Sequence, residues 1–315
     1  MMSDVPDNSP QPQPTEGVIP SRLNFAERFN LSPVGFALIA LAVVFVLYQV
    51  LGGTITFVVF GATVRPDTVQ WLRLATMIGQ LMLILVPTLF LARFQSHNLC
   101  EALRLRGTGS PEILLGIIGV LSLQQILQVY MNVQDLIPIP PSVRPFVESI
   151  RKAIEETYKD LVQAHSISEL FYVLIVVALV PAFCEELLFR GLVQKNFERG
   201  LRGWWGIIVP GVIFGAYHFN PFSFVPLAVL GVYFGFLVFR SRSIFTSVVA
   251  HFANNVFAVL VIFFNPNESF LFHDGTIPVS VPTTIVTLAA CGFVFALSTY
   301  AFIKITRVIP DTQVQ

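Results

Sequence analysis

Apolar runs long enough to cross a bilayer recur along the chain from Val34 to Ile303. In lipid every backbone N–H and C=O has to be satisfied within the protein, which only helices and closed barrels achieve. The runs lack the alternating, roughly ten-residue segments of a barrel, so they read as helices. Spans are predicted at about 34–60, 71–92, 112–131, 169–198, 204–219, 223–239, 243–264 and 282–303. The expected fold is all-α: a polytopic membrane helix bundle of about eight transmembrane helices. A hydrophobic content of 54%, a charged content of 12% and a mean hydropathy of +0.72 lie outside the range of a soluble domain of this size. Net charge is zero, so no basic field argues for a nucleic-acid partner. Cys100, Cys184 and Cys291 are odd in number and far apart, which supports neither a disulfide framework nor a cysteine-based zinc site.

The segments between the runs set the organisation. Residues 1–21 are rich in proline and polar side chains and are predicted to be a disordered cytoplasmic tail rather than a signal peptide, because Asp4 and Asp7 lead and no early apolar core follows. Residues 34–131 hold three transmembrane helices, 132–168 a long connection, 169–265 four polar-studded helices and 282–303 a last span. The connection opens with four prolines and then places Val147, Ile150, Ile154, Tyr158 and Leu161 at three- and four-residue steps. That periodicity predicts an amphipathic helix before the fourth span, lying on the bilayer surface, over a cavity or as a packed connector. With eight spans the termini share a side, and that side carries twelve Lys and Arg against six opposite. Both termini are therefore expected in the cytoplasm of a multi-pass protein of the cell membrane, with the 132–168 connection outside.

Three charges interrupt the fourth run, in Phe183-Cys184-Glu185-Glu186-Leu187-Leu188-Phe189-Arg190. An ionisable group at membrane depth costs about 2.5 to 3.5 kcal/mol on insertion scales, so function is its default explanation. His218 in the fifth run, and His251 with Asn255 in the seventh, are further polar insertions. A tight turn at Gly200 to Gly203 joins the fourth and fifth runs. Fifteen residues separate Leu201 from Glu186 and fifteen separate Gly203 from His218, so antiparallel helices bring the histidine level with the glutamates. His251 and Asn255 hang from a turn on the same side and share a helix face. One tension stands beside this count. The apolar end of the fourth run near Val193 puts Glu186 about 10 Å below the boundary, whereas Trp204 and Trp205 put His218 about 20 Å below it.

Adjacent carboxylates on a helix point about 100° apart and cannot share a task. Glu186 and Arg190 are an i,i+4 pair, which holds the Glu186 charge. Glu185 is left as a general base for water, with His218 sharing that water across the hairpin and His251 and Asn255 offering donors to a developing oxyanion. Gln124, Gln125 and Gln128 in the third run read as polar contacts between helices, Pro181 as a kink, and His97, His165 and His273 as residues of connections.

The ordered set Glu185-Glu186-x-x-x-Arg190, Phe214-x-x-x-His218 and His251-x-x-x-Asn255, on successive spans, resembles the CPBP family of intramembrane proteases, which includes the type II CAAX prenyl proteases. The resemblance covers about residues 165–265. It implies endoproteolysis within a helix bundle, with Glu185 and His218 activating water, His251 and Asn255 stabilising the tetrahedral intermediate, and Glu186 with Arg190 supporting them. It implies a membrane-anchored protein or peptide substrate, which could be lipidated. It leaves the cofactor open: Glu185, His218 and His251 could bind one divalent ion, zinc first, or the glutamate could work without metal. A non-catalytic binding or immunity-type member of the same family and a proton-coupled transporter are the alternatives.

Overall fold

The computed structural model describes residues 29–61, 65–265 and 280–306. The predicted tail at 1–21 and His273 lie outside the described residues. Among the described residues all regular structure is helical. Seven helices are long and apolar enough to cross a membrane: α1 (Pro33–Phe60), α2 (Val69–Gln95), α3 (Ser110–Gln134), α5 (Ile167–Gly200), α7 (Phe224–Ser241), α8 (Phe245–Phe264) and α9 (Val281–Ile305). Between them lie the amphipathic helix α4 (Arg144–Val162) and the short apolar helix α6 (Trp205–Tyr217). The protein is a multi-pass integral membrane protein. The predicted fifth span is the one that differs: α6 has 13 residues, about 20 Å of rise and too short to cross alone. It ends before His218 and returns through α7.

Local sequence explains where the helices start. Ser32 accepts from the Gly35 amide ahead of Pro33, and Ser166 accepts from the Glu169 amide, so both α1 and α5 begin at a side-chain cap. α5 is the axis of the bundle. Its Cys184, Leu188, Phe189, Val193 and Phe197 pack with Ala37, Leu41 and Val44 of α1, Ile84 of α2 and Phe214 of α6. Its lower part, Leu170 and Val173, meets Val162 of α4 and Val259 and Ile262 of α8. α3 and α9 close the far side against Leu230, Phe234 and Leu237 of α7.

The depth mismatch resolves in the last turns of α5. The polarity just after Val193 is not by itself the mark of a boundary, because Gln194, Asn196 and Glu198 are bonded within the protein. Gln194 donates to the Gly235 carbonyl at 2.9 Å, and Asn196 and Gln95 exchange side-chain hydrogen bonds at 2.7 and 2.9 Å. Glu198 pairs with Arg104. A long α5 thus runs beside α6 up to the turn, and residues equidistant from that turn meet.

α6 and α7 approach backbone to backbone. A Cβ on Gly211 would stand 2.6 Å from the Val232 amide nitrogen, and one on Gly231 2.6 Å from the Gly211 carbonyl oxygen. Small residues are what allow such a crossing in lipid. Gly211→Ala and Gly231→Ala are each expected to cost about 1 to 3 kcal/mol through overpacking. Thermal unfolding in detergent checks this; a melting point matching wild type in both variants would mean that the helices tolerate a wider crossing.

Candidate active site

The site grows from an irregularity in α5. Pro181 has no N–H to offer the carbonyl four residues back, that of Val177, and the Asn255 amide of α8 donates to this carbonyl at 3.3 Å. Past the proline the helix carries Glu185 and Glu186, then widens into a π-helical segment from Leu187 to Val193, a feature common at functional sites. The two carboxylates diverge as their spacing requires.

Glu186 points into the protein and is fully buried. Its Oε1 lies 2.9 Å from the Arg190 guanidinium, itself 2% exposed. Arg190 spends a second nitrogen on the Gly231 carbonyl at 2.9 Å and sits over the Phe214 ring, 4.4 Å from its centroid. The same Glu186 oxygen is 3.1 Å from Nδ1 of His251. Phe234 stacks on the His251 ring at 5.0 Å between centroids. Oε1 of this buried carboxylate is thus paired with a guanidinium and an imidazole, within a wall of aromatic rings, while its Oε2 has no hydrogen-bond partner among the described residues. The Oε1 contact and the Phe234 stack hold the His251 ring.

Glu185 faces the other way, with its side chain 17% exposed beside His218, 32% exposed. His218 Nδ1 is 2.8 Å from the Phe214 carbonyl. A carbonyl only accepts, so Nδ1 carries a proton, and in the neutral ring Nε2 is then the acceptor. The Phe214-x-x-x-His218 spacing therefore has a physical meaning: the carbonyl four residues back sets the tautomer, while the ring of the same Phe214 lies under Arg190. Nε2 stands 3.9 Å from Glu185 Oε2, beyond a direct hydrogen bond. A water about 2.8 Å from both acceptors would subtend an angle of roughly 90°, close enough to its own to donate to both.

Residues 167–257 match the family model of type II CAAX prenyl endopeptidases, Rce1-like. The chain carries an Rce1-like segment, consistent with the CPBP family. That family is one of proteases, which supports a protease here. The match spans less than a third of the chain but includes Glu185, Glu186, Arg190, His218, His251 and Asn255. Comparison with curated proteins and with solved structures returns no match.

The structure brings five of these six into two adjacent clusters, Glu185 with His218 and Glu186 with Arg190 and His251, and puts Asn255 on Val177. Glu185, His218 and His251, a possible metal set by sequence, do not converge as one donor set here. His251 is turned to Glu186, whose charge Arg190 already neutralises, and among the described residues no group of three or more His, Cys, Asp and Glu is arranged to hold a metal ion. The donor set does not fit zinc in this arrangement. Within the Rce1-like segment, sequence reasoning missed the Gly231 carbonyl, the Phe234 ring and Gln194. The repeated glycine spacing, Gly211 with Gly215 and Gly231 with Gly235, is the signal that could have exposed the first. Of the glutamines in α3, Gln128 donates to Asn132 at 3.1 Å within the same helix.

Proposed function

We propose that the protein is an intramembrane endopeptidase in which Glu185 activates a water for attack on a peptide bond of a membrane-associated protein or peptide. The observation that carries this is the 3.9 Å space between Glu185 and His218 Nε2, with the histidine tautomer set by Phe214. A water there donates one hydrogen to each. Glu185 takes its proton as the oxygen bonds to the scissile carbonyl carbon, and returns it to the leaving amine as the carbon–nitrogen bond breaks. His218 keeps its proton and aims the water. Asn255 spends one Nδ2 hydrogen on Val177 and keeps the other for the oxyanion of the tetrahedral intermediate; His251, whose Nδ1 donates to Glu186, adds an Nε2 donor as the imidazolium, and the Glu186–Arg190 pair keeps its ring in place. The Rce1-like segment supports a lipidated, CAAX-type substrate, and the lysine and arginine count supports cytoplasmic termini in a cell membrane.

The test is cleavage of membrane-anchored and prenylated CAAX peptides by purified protein in detergent, wild type against Glu185→Gln. A chelator arm accompanies it. Since no step runs through a metal, 1,10-phenanthroline is expected to leave the wild-type rate within about twofold, well inside the effect of losing a catalytic group. Loss of cleavage with chelator, restored by added zinc, would overturn the metal-free mechanism and leave the protease reading in place.

A further inference from the structure

His218 sits at the end of a helix, not within one. α6 stops at Tyr217, His218 is its cap, and the next residue, Phe219, adopts a φ of 50°. That is the left-handed region, disfavoured for a residue with a Cβ. A turn with such a residue keeps its shape only if its surroundings hold it. From one side α1 does so: the Tyr217 hydroxyl donates to the Leu41 carbonyl at 2.7 Å, and Gln49 donates to the Tyr217 carbonyl at 2.8 Å.

The other side of the turn is held by residues that lie before the Rce1-like segment. Gln134, the last residue of α3, donates to the Phe222 carbonyl at 2.9 Å. The Arg151 guanidinium of α4 lies over the Phe222 ring, 4.7 Å from its centroid, and is fixed there by Asp135 at 2.6 Å. α4 is in turn pinned at its far end. Arg73 of α2, 1% exposed, pairs with Glu169 at 2.6 Å. It also donates to the carbonyls of Leu161 and Asp160 at 2.9 and 3.0 Å, closing the carbonyl end of the helix.

We propose that α4 is a strap that seats the catalytic turn, with Arg151 as a positioning residue for His218. Arg151 touches neither His218 nor the reacting water; it acts by clamping Phe222, four residues on. A planar guanidinium lies on that ring and meets a carboxylate at its edge at the same time, which a lysine ammonium does less well. The proposal rests on the reading of His218 as a water-aiming residue, but its geometry can be tested without any substrate.

The experiment uses the full chain in detergent, as wild type, Arg151→Ala, Arg151→Lys and Lys152→Ala, the last changing an exposed neighbour on the same helix. Diethylpyrocarbonate modification of His218 is followed by mass spectrometry, with His97 and His165 as references in each sample. Arg151→Ala is expected to raise the His218 rate at least threefold and leave the references unchanged. Arg151→Lys should recover part of the protection, and Lys152→Ala should match wild type. On a cleaved peptide, Arg151→Ala is expected to lower kcat on the order of tenfold with KM little changed, the pattern of a displaced catalytic group. An unchanged His218 rate in Arg151→Ala overturns the strap. If Arg151→Ala does not fold, Phe222→Leu, which removes the ring and keeps an apolar side chain, is judged by the same rate. If wild type cleaves nothing, the protease reading fails while the modification rates still decide the strap.

Discussion

Glu185→Gln is expected to lower kcat by about 10² to 10⁴, the range a positioned general base contributes, with little change in melting temperature. The amide has the size of the carboxylate and can still accept a hydrogen bond from water, so the water stays. What it cannot do is take the proton. Stability should hold because Glu185 is partly exposed and makes no contact in the buried ion pair, its charge acting on Arg190 only at a distance and less than that of Glu186. Glu186→Gln makes the internal contrast. It removes the carboxylate that Arg190 and His251 share, so it is expected to lower the melting temperature as well as the rate. A peptide-cleavage assay beside a thermal melt in detergent separates the two glutamates. Retention of more than a tenth of wild-type kcat by Glu185→Gln would take the base assignment away from this residue.

Much of this division was legible in the sequence, because it depends on spacing along single helices. The i,i+4 step from Glu186 to Arg190 and the 100° step between the two glutamates survive folding unchanged. The hairpin count also held, since it needs only equal rise on either side of the Gly200 to Gly203 turn. Rotation about the helix axes was not legible. Depth alone put His251 level with Glu185 and His218, whereas α8 presents it to Glu186, a contact that depends on how α8 is turned against α5. The length of α6 was hidden for a related reason: the apolar run continues through Phe219, but the backbone turns at His218. Polarity near Gln194 looked like a water boundary. It is an internal network joining α5 to α2 and α7, and composition cannot tell a solvated polar turn from a bonded one. The clamp on Phe222 was beyond sequence reasoning because Asp135, Arg151 and Phe222 come from three separate stretches of the chain.

The buried pair gives the largest expected effect on stability. Arg190→Met keeps a long apolar side chain where the guanidinium lay but leaves the Glu186 carboxylate buried without its cation, and breaking such a pair from one side costs about 3 to 5 kcal/mol. The Gly231 carbonyl loses its donor in the same variant, adding to the cost. Glu186→Gln in the Arg190→Met background removes the orphaned charge, so the double variant is expected to regain a large part of what the single one loses. The residues touch, so their effects should be strongly non-additive. Unfolding in detergent of the two single variants and the double gives the coupling directly, and additive losses would mean that the two charges do not stabilise one another. Stability recovered this way should not bring cleavage back. With neither carboxylate nor guanidinium in place, His251 keeps the stacked Phe234 ring but exchanges its charged Nδ1 partner for a neutral amide oxygen that can also turn away, so a well-folded double variant with poor kcat is the outcome that assigns the pair to positioning His251 rather than to holding the bundle together.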